Sequence, residues 1–89
     1  MRYSQGMEPA IEFIDSAFRH GYSEEDIRHA VRTRIYDAPM VGYSSKYALL
    51  GFDCAGNLLE IGYNPVGDGI LSVFHAMKCR RSFREKLGL

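Results

Sequence analysis

The C-terminal stretch from Gly69 to Leu89, GILSVFHAMKCRRSFREKLGL, passes from an apolar run into a cationic one. His75 stands where Ile70-Leu71-Ser72-Val73-Phe74 gives way to Lys78, Arg80, Arg81, Arg84 and Lys86. An imidazole exchanges protons near neutral pH and serves as acid or base. Arginine grips phosphate through its planar fork, and lysine does so as a compact charge. A phosphate chain held against a rigidly mounted histidine is therefore the chemistry these types and spacings permit. Arg19 and His20 form a second, smaller set of the same kind. The plainer use of each is also open. A histidine at a strand end can be a hydrogen-bonded structural residue, His20 can bond a carbonyl at a helix terminus, and the cations can be the solvated face of a short helix.

The charge distribution singles out the same stretch. Residues 1–74 hold six Lys/Arg and ten Asp/Glu, a net −4, whereas residues 75–89 hold five Lys/Arg and one Glu, a net +4. The total is zero, which counts against bulk attraction to nucleic acid and leaves the local patch to be explained. Eighty-nine residues predict a single domain spanning 1–89, with a core small enough that a partner can add to its stability. No apolar run is long enough to span a membrane, and MRYSQGMEPA has no apolar signal core, so the chain reads as cytoplasmic. Cys54 and Cys79 lack metal-type spacing and read as free thiols; His20, His29 and His75 lack it too. No metal and no cofactor are expected.

Around that stretch the chain must supply a scaffold. Met1 to Glu8 reads as a loose lead-in. Residues 10–14 fit either a helix face or a short strand, Asp15 then capping a brief helix, and Gly21 closes the segment with a left-handed turn. Ser23 is a good N-cap before Glu24, Glu25 and Asp26, and Ile27, Ala30 and Val31 stripe a helix running to about Arg34. Asp37-Ala38-Pro39 closes that helix and redirects the chain. Tyr47–Asp53, Leu58–Asn64 and Ile70–Ala76 are strand-like runs separated by turns rich in Gly, Asn and Asp, the pattern of an antiparallel meander. Met40 to Tyr43 is a candidate edge strand. Ser82 to Leu87 is a short helix with Phe83 and Leu87 inward. The predicted fold class is α+β, with N-terminal helices packed on one face of a three- to four-stranded antiparallel β-meander and a short C-terminal helix.

Three segments in this order carry a resemblance. Arg19-His20-Gly21-Tyr22-Ser23-Glu24-Glu25-Asp26-Ile27, then Asp53-Cys54-Ala55-Gly56-Asn57-Leu58-Leu59-Glu60-Ile61-Gly62, then Val73-Phe74-His75-Ala76-Met77-Lys78-Cys79-Arg80 resembles the small bacterial toxins similar to BrnT, in the RelE-like group of type II toxin–antitoxin systems. The resemblance covers roughly residues 11–87. It implies a RelE-like fold, an endoribonuclease that cleaves mRNA and arrests translation, and a cognate antitoxin that covers the basic face in a hetero-oligomer. The chain departs from that group in having fewer Lys and Arg. The end of its last strand aligns either at His75-Ala76-Met77 or, slipped, at Lys78-Cys79-Arg80.

Metal-independent RNA cleavage needs a base for the ribose 2′-OH, an acid for the leaving 5′-oxygen and cations for the charge on the transition state. Catalytic candidates are His75, Lys78, Arg80 and His20; RNA-binding candidates are Arg19, Arg81, Arg84 and Lys86. Glu60, between Leu59 and Ile61, is a possible base but is expected on the solvent face of its strand. Tyr36, Tyr43, Tyr47 and Tyr63 can stack on bases or pack the sheet. Lys46, in a loop far along the sequence, is expected to take no part. The alternative function is a catalytically inactive module of the same fold that only holds an antitoxin-like partner. A DNA-binding repressor finds no support, because no helix-turn-helix pattern with a basic second helix is present.

Overall fold

The structure, a computed structural model, describes residues 9–43 and 45–89, so the lead-in expected at Met1 to Glu8 lies outside the described residues. The chain runs β1 (Ala10–Phe13), a 3-10 turn (Asp15–Phe18), α1 (Glu24–Arg32), β2 (Tyr36–Pro39), β3 (Tyr47–Phe52), β4 (Leu58–Val66), β5 (Ile70–Lys78) and α2 (Arg81–Lys86). The five strands form one mixed sheet in the order β1-β5-β4-β3-β2. The molecule is a small α+β protein.

The meander is as expected. β3, β4 and β5 pair antiparallel in sequence order, Leu49 opposite Ile61 and Ile61 opposite Ala76. The β3–β4 turn is built by Asp53, whose buried carboxylate accepts from the backbone N–H of Ala55 at 3.0 Å and of Asn57 at 2.7 Å. Gly56 takes the positive φ of 86° that this turn requires.

Of residues 10–14, open between helix and strand in the sequence, Ala10–Phe13 form a strand that pairs parallel to β5 with Phe13 opposite Val73. Asp15 starts the 3-10 turn but does not cap it with its side chain; the N-cap position is Ile14. The expected edge strand at Met40 to Tyr43 is instead β2, so Asp37-Ala38-Pro39 is not a helix stop but an edge. Proline is tolerated there because an edge strand has one side without ladder partners. The α1 helix begins as read, with Ser23 Oγ accepting from the Asp26 N–H at 3.1 Å. It ends at Arg32, short of Arg34, because the Thr33 hydroxyl donates to the His29 carbonyl at 2.8 Å and accepts from the Phe52 N–H at 2.9 Å, turning the chain onto β3.

Ile27, Ala30 and Val31 of α1 pack on Leu49, Leu59, Ile61 and Val73, all buried. The approach is so close that a Cβ at Gly51 would overlap the Ala30 carbonyl. Tyr63 stacks on Tyr47 at 5.4 Å and donates to Asp37 at 2.6 Å, so both tyrosines are packing residues on this face. Burial and the Asp37 carboxylate both raise the Tyr63 phenol above its ordinary pKa.

The helices do not share one face. Strand alternation turns Tyr36, Ala48, Leu50, Glu60 and Gly62 away from α1. Phe83 of α2 meets Tyr36 edge-on at 5.9 Å, which puts α2 against that second face. Leu50 is fully buried although it points away from the α1 core. Beyond it, the second face borders a groove in which Phe74 and His75 are half-buried.

Candidate functional site

The second face becomes a groove because β5 is irregular. The β4–β5 register shifts between Gly62 and Tyr63, so Gly62 pairs with His75 while Tyr63 pairs with Val73. The bulge places two consecutive residues, Phe74 and His75, on the same face. Gly62 makes room for them, since a Cβ there would stand 2.9 Å from the Phe74 ring and 3.2 Å from the His75 Cβ. The groove, of about 610 Å³, is floored by Phe74, His75 and Glu60 and walled by Tyr36 and Phe83. His75 therefore sits inside β5, which continues to Lys78, and not at its end as the sequence suggested. The run before it is buried only at its centre: Ser72 and Val73 are buried, Ile70, Leu71 and Phe74 half-buried.

Glu60 is the anchor of the site, and its expected solvent exposure is corrected: it is 5% exposed. Its Oε1 accepts from the Arg80 backbone N–H at 3.0 Å and from Arg80 Nε at 3.1 Å. Its Oε2 faces Arg80 Nη2 at 3.1 Å and His75 Nε2 at 3.5 Å. Burial by itself raises a carboxyl's pKa; the His75 ring, the Arg80 N–H and the guanidinium together outweigh it and hold Glu60 at about 2. A carboxylate so firmly ionised is a poor proton acceptor, which argues against Glu60 as a base and for Glu60 as the group that orients His75 and Arg80. The signal for it in the sequence is slight: one acid in an otherwise apolar strand.

His20 arrives from the other side. The 3-10 turn lies over β5, pinned by Ser16 Oγ donating to the Phe74 carbonyl at 2.6 Å. The exposed turn that follows brings the His20 ring edge-on to His75, centroids 5.7 Å apart. Arg19 is exposed beside it.

Not all the candidate residues meet. His75 and Arg80 converge on Glu60, and His20 meets the His75 ring. Lys78 pairs with Leu59 across the sheet, and alternation turns it to the opposite side of β5 from His75. Lys78, Arg81 and Arg84 border a second depression, of about 630 Å³, where Arg81 pairs with Glu85 at 3.1 Å. Lys86 stands at the α2 wall of the main groove. Lys46, expected to be remote, is in the groove: its Nζ lies 5.2 Å from the centre of the Phe74 ring and 4.9 Å from that of Tyr43. Nothing in the local sequence signals this, because the contact spans two strands.

The other polar groups have structural work. His29 Nδ1 bonds the Phe52 carbonyl at 2.7 Å, joining α1 to β3. Arg28 lies over Phe13, and Arg34 donates to the Val31 carbonyl at 2.7 Å. Cys54 and Cys79 are free thiols, the former exposed and the latter buried. Among the described residues no group of three or more His, Cys, Asp or Glu is placed to hold a metal ion, and no helix is long and apolar enough to cross a membrane.

The fold and site thus define a small α+β protein with an ionised carboxylate, a histidine and a guanidinium grouped on one sheet face, and a second histidine reaching the first from a neighbouring turn. No family model matches the chain, and no curated protein or solved structure shows a match to it.

Proposed function

We propose that the protein is an endoribonuclease of the RelE-like, BrnT-like toxin type, cleaving mRNA without a metal. The observation that carries this reading is the pair of imidazoles, His20 and His75, in edge contact at 5.7 Å beside the Glu60–Arg80 ion pair. Two imidazoles within reach of one phosphodiester supply both halves of proton transfer. One takes the 2′-OH proton as the 2′-oxygen attacks phosphorus; the other gives a proton to the departing 5′-oxygen, leaving a 2′,3′-cyclic phosphate and a free 5′-hydroxyl. Glu60 orients His75 from 3.5 Å, and Arg80 brings its guanidinium to the same carboxylate. Lys86 at the groove wall and the exposed Arg19 beside His20 would contact an RNA strand crossing the groove. A cognate antitoxin would cover this face in a hetero-oligomer.

The second reading, an inactive module that holds an antitoxin-like partner, draws on the apolar rim. Val41 is 92% exposed and Tyr43 57% exposed at the mouth of the groove, a surface that suits protein contact as well as RNA. Purified protein incubated with RNA in excess chelator separates the two. Cyclic-phosphate products, lost in His75→Ala and in His20→Ala, support the ribonuclease; intact RNA together with harmless overexpression supports the module.

A further inference from the structure

Five cations stand near the junction of β5 and α2; Arg84 borders the second depression, Lys86 stands at the α2 wall of the groove, and the other three are engaged or turned away. Arg80 holds Glu60 through Nε and Nη2, Arg81 holds Glu85, and Lys78 lies on the reverse side of its strand from His75. A further positive charge reaches the Phe74–His75 face from the residue just before β3. Lys46 is half-buried at the foot of β3 and has no carboxylate partner among the described residues. Its ammonium is held instead between two aromatic rings, Tyr43 and Phe74. Phe74 is the neighbour of His75 and shares its face through the β5 bulge. Ring faces fix an ammonium by their negative quadrupole without neutralising its charge, and its N–H groups stay available to an anion.

We infer that Lys46 is the phosphate-binding cation of this groove: it holds the backbone of single-stranded RNA against His75, with the Phe74 and Tyr43 rings fixing its position. The inference rests on the ribonuclease reading and adds a residue and a role to it. Lys46 touches the phosphate, whereas Phe74 and Tyr43 act through Lys46 and are positioning residues. It also accounts for how a chain of zero net charge grips a polyanion, through a locally unneutralised lysine in place of a basic surface.

The test uses the full chain and two probes: a 2′-O-methyl oligoribonucleotide of mixed sequence, which binds but cannot be cleaved, and the same sequence as RNA. Binding is measured across a salt series, cleavage under single-turnover conditions, and melting temperature for every variant. Lys46→Met should weaken binding, shallow the slope of log K against log salt by about 0.7, one single-strand phosphate contact, and slow cleavage by about 10- to 10³-fold. Lys46→Arg should keep the wild-type slope, and His75→Ala should keep it while losing cleavage. If the wild type binds and cleaves but Lys46→Met matches it in slope and rate, the inference alone is overturned. A lowered melting temperature with unchanged slope overturns it in favour of a packing role. A wild type that neither binds nor cleaves overturns the ribonuclease reading and the inference with it.

Discussion

Glu60 and Arg80 close a two-point ion pair from the middle of β4 to the start of α2, Nε to Oε1 and Nη2 to Oε2, both at 3.1 Å. The same carboxylate also caps the Arg80 backbone N–H and reaches His75. One buried acid thus fixes the exit of the last strand, the entry of the last helix and the imidazole between them. Removing it leaves an N–H and a ring without their acceptor, so Glu60→Ala should cost about 1–3 kcal/mol. For a domain of this size that is about 4–8 °C of melting temperature per kcal/mol. A melting curve superimposable on the wild type would remove Glu60 from its role as anchor.

The pH dependence of stability follows from the same group. Glu60 titrates at 4.5 when unfolded and at about 2 when folded. A depressed folded pKa adds stability that is complete above 4.5 and is lost as pH falls from 4.5 through 2. The gap between the two values corresponds to about 3 kcal/mol. Denaturant unfolding of the wild type and Glu60→Gln at pH 5 and pH 2.5 should give a stability difference that narrows at the lower pH. A difference that stays constant would mean that Glu60 is not ionised by its neighbours.

On the ribonuclease reading, His75→Ala and His20→Ala should each slow RNA cleavage by about 10²–10⁴-fold, the usual loss for a proton-transfer group. His20 lies on an exposed turn, so His20→Ala should leave the melting temperature unchanged. If His75→Ala keeps full activity but melts several degrees lower, His75 is structural.

Gly51 is where helix and sheet meet backbone to side. Gly51→Ala places a methyl group on the Ala30 carbonyl, and neither the helix nor the central strand can yield cheaply. The expected loss is about 1–3 kcal/mol or more, read as a drop in melting temperature, whereas Gly56→Asn, which meets no atom in the β3–β4 turn and is strained only by the positive φ that Asn tolerates best, should cost less. An undisturbed Gly51→Ala protein would show that α1 sits farther from β3.

Asp53 organises the β3–β4 turn through two backbone N–H groups and the Asn57 side chain at 3.2 Å. Asp53→Ala orphans these donors and should cost about 1–3 kcal/mol. Asp53→Asn retains a carbonyl oxygen at the same place and should recover part of the loss. Equal melting temperatures for the two variants would argue that the turn forms without the side chain.

Local signals carried much of this molecule. The Ser23 cap and the Ile27, Ala30, Val31 stripe specify α1, and glycine- and asparagine-rich turns specify the β3–β4–β5 meander, because each depends on residues within one turn or one hairpin. The cationic tail and both histidines were visible as chemistry for the same reason: residue type is local information. Long-range pairing was not. Residues Ala10–Phe13 become a strand because β5, sixty residues away, offers them a free edge. Pro39 reads as a break until β3 shows that it lies on the outer edge of a sheet. Alternation assigns Glu60 to a face but is silent on what covers that face, and Arg80 and His75 cover it. His20 meets His75, and Lys46 meets Phe74, across gaps that no periodicity bridges. Such contacts depend on sheet order, on the β5 bulge and on the side taken by α2. Those are settled by the burial of the whole chain at once, and not by any window of the sequence.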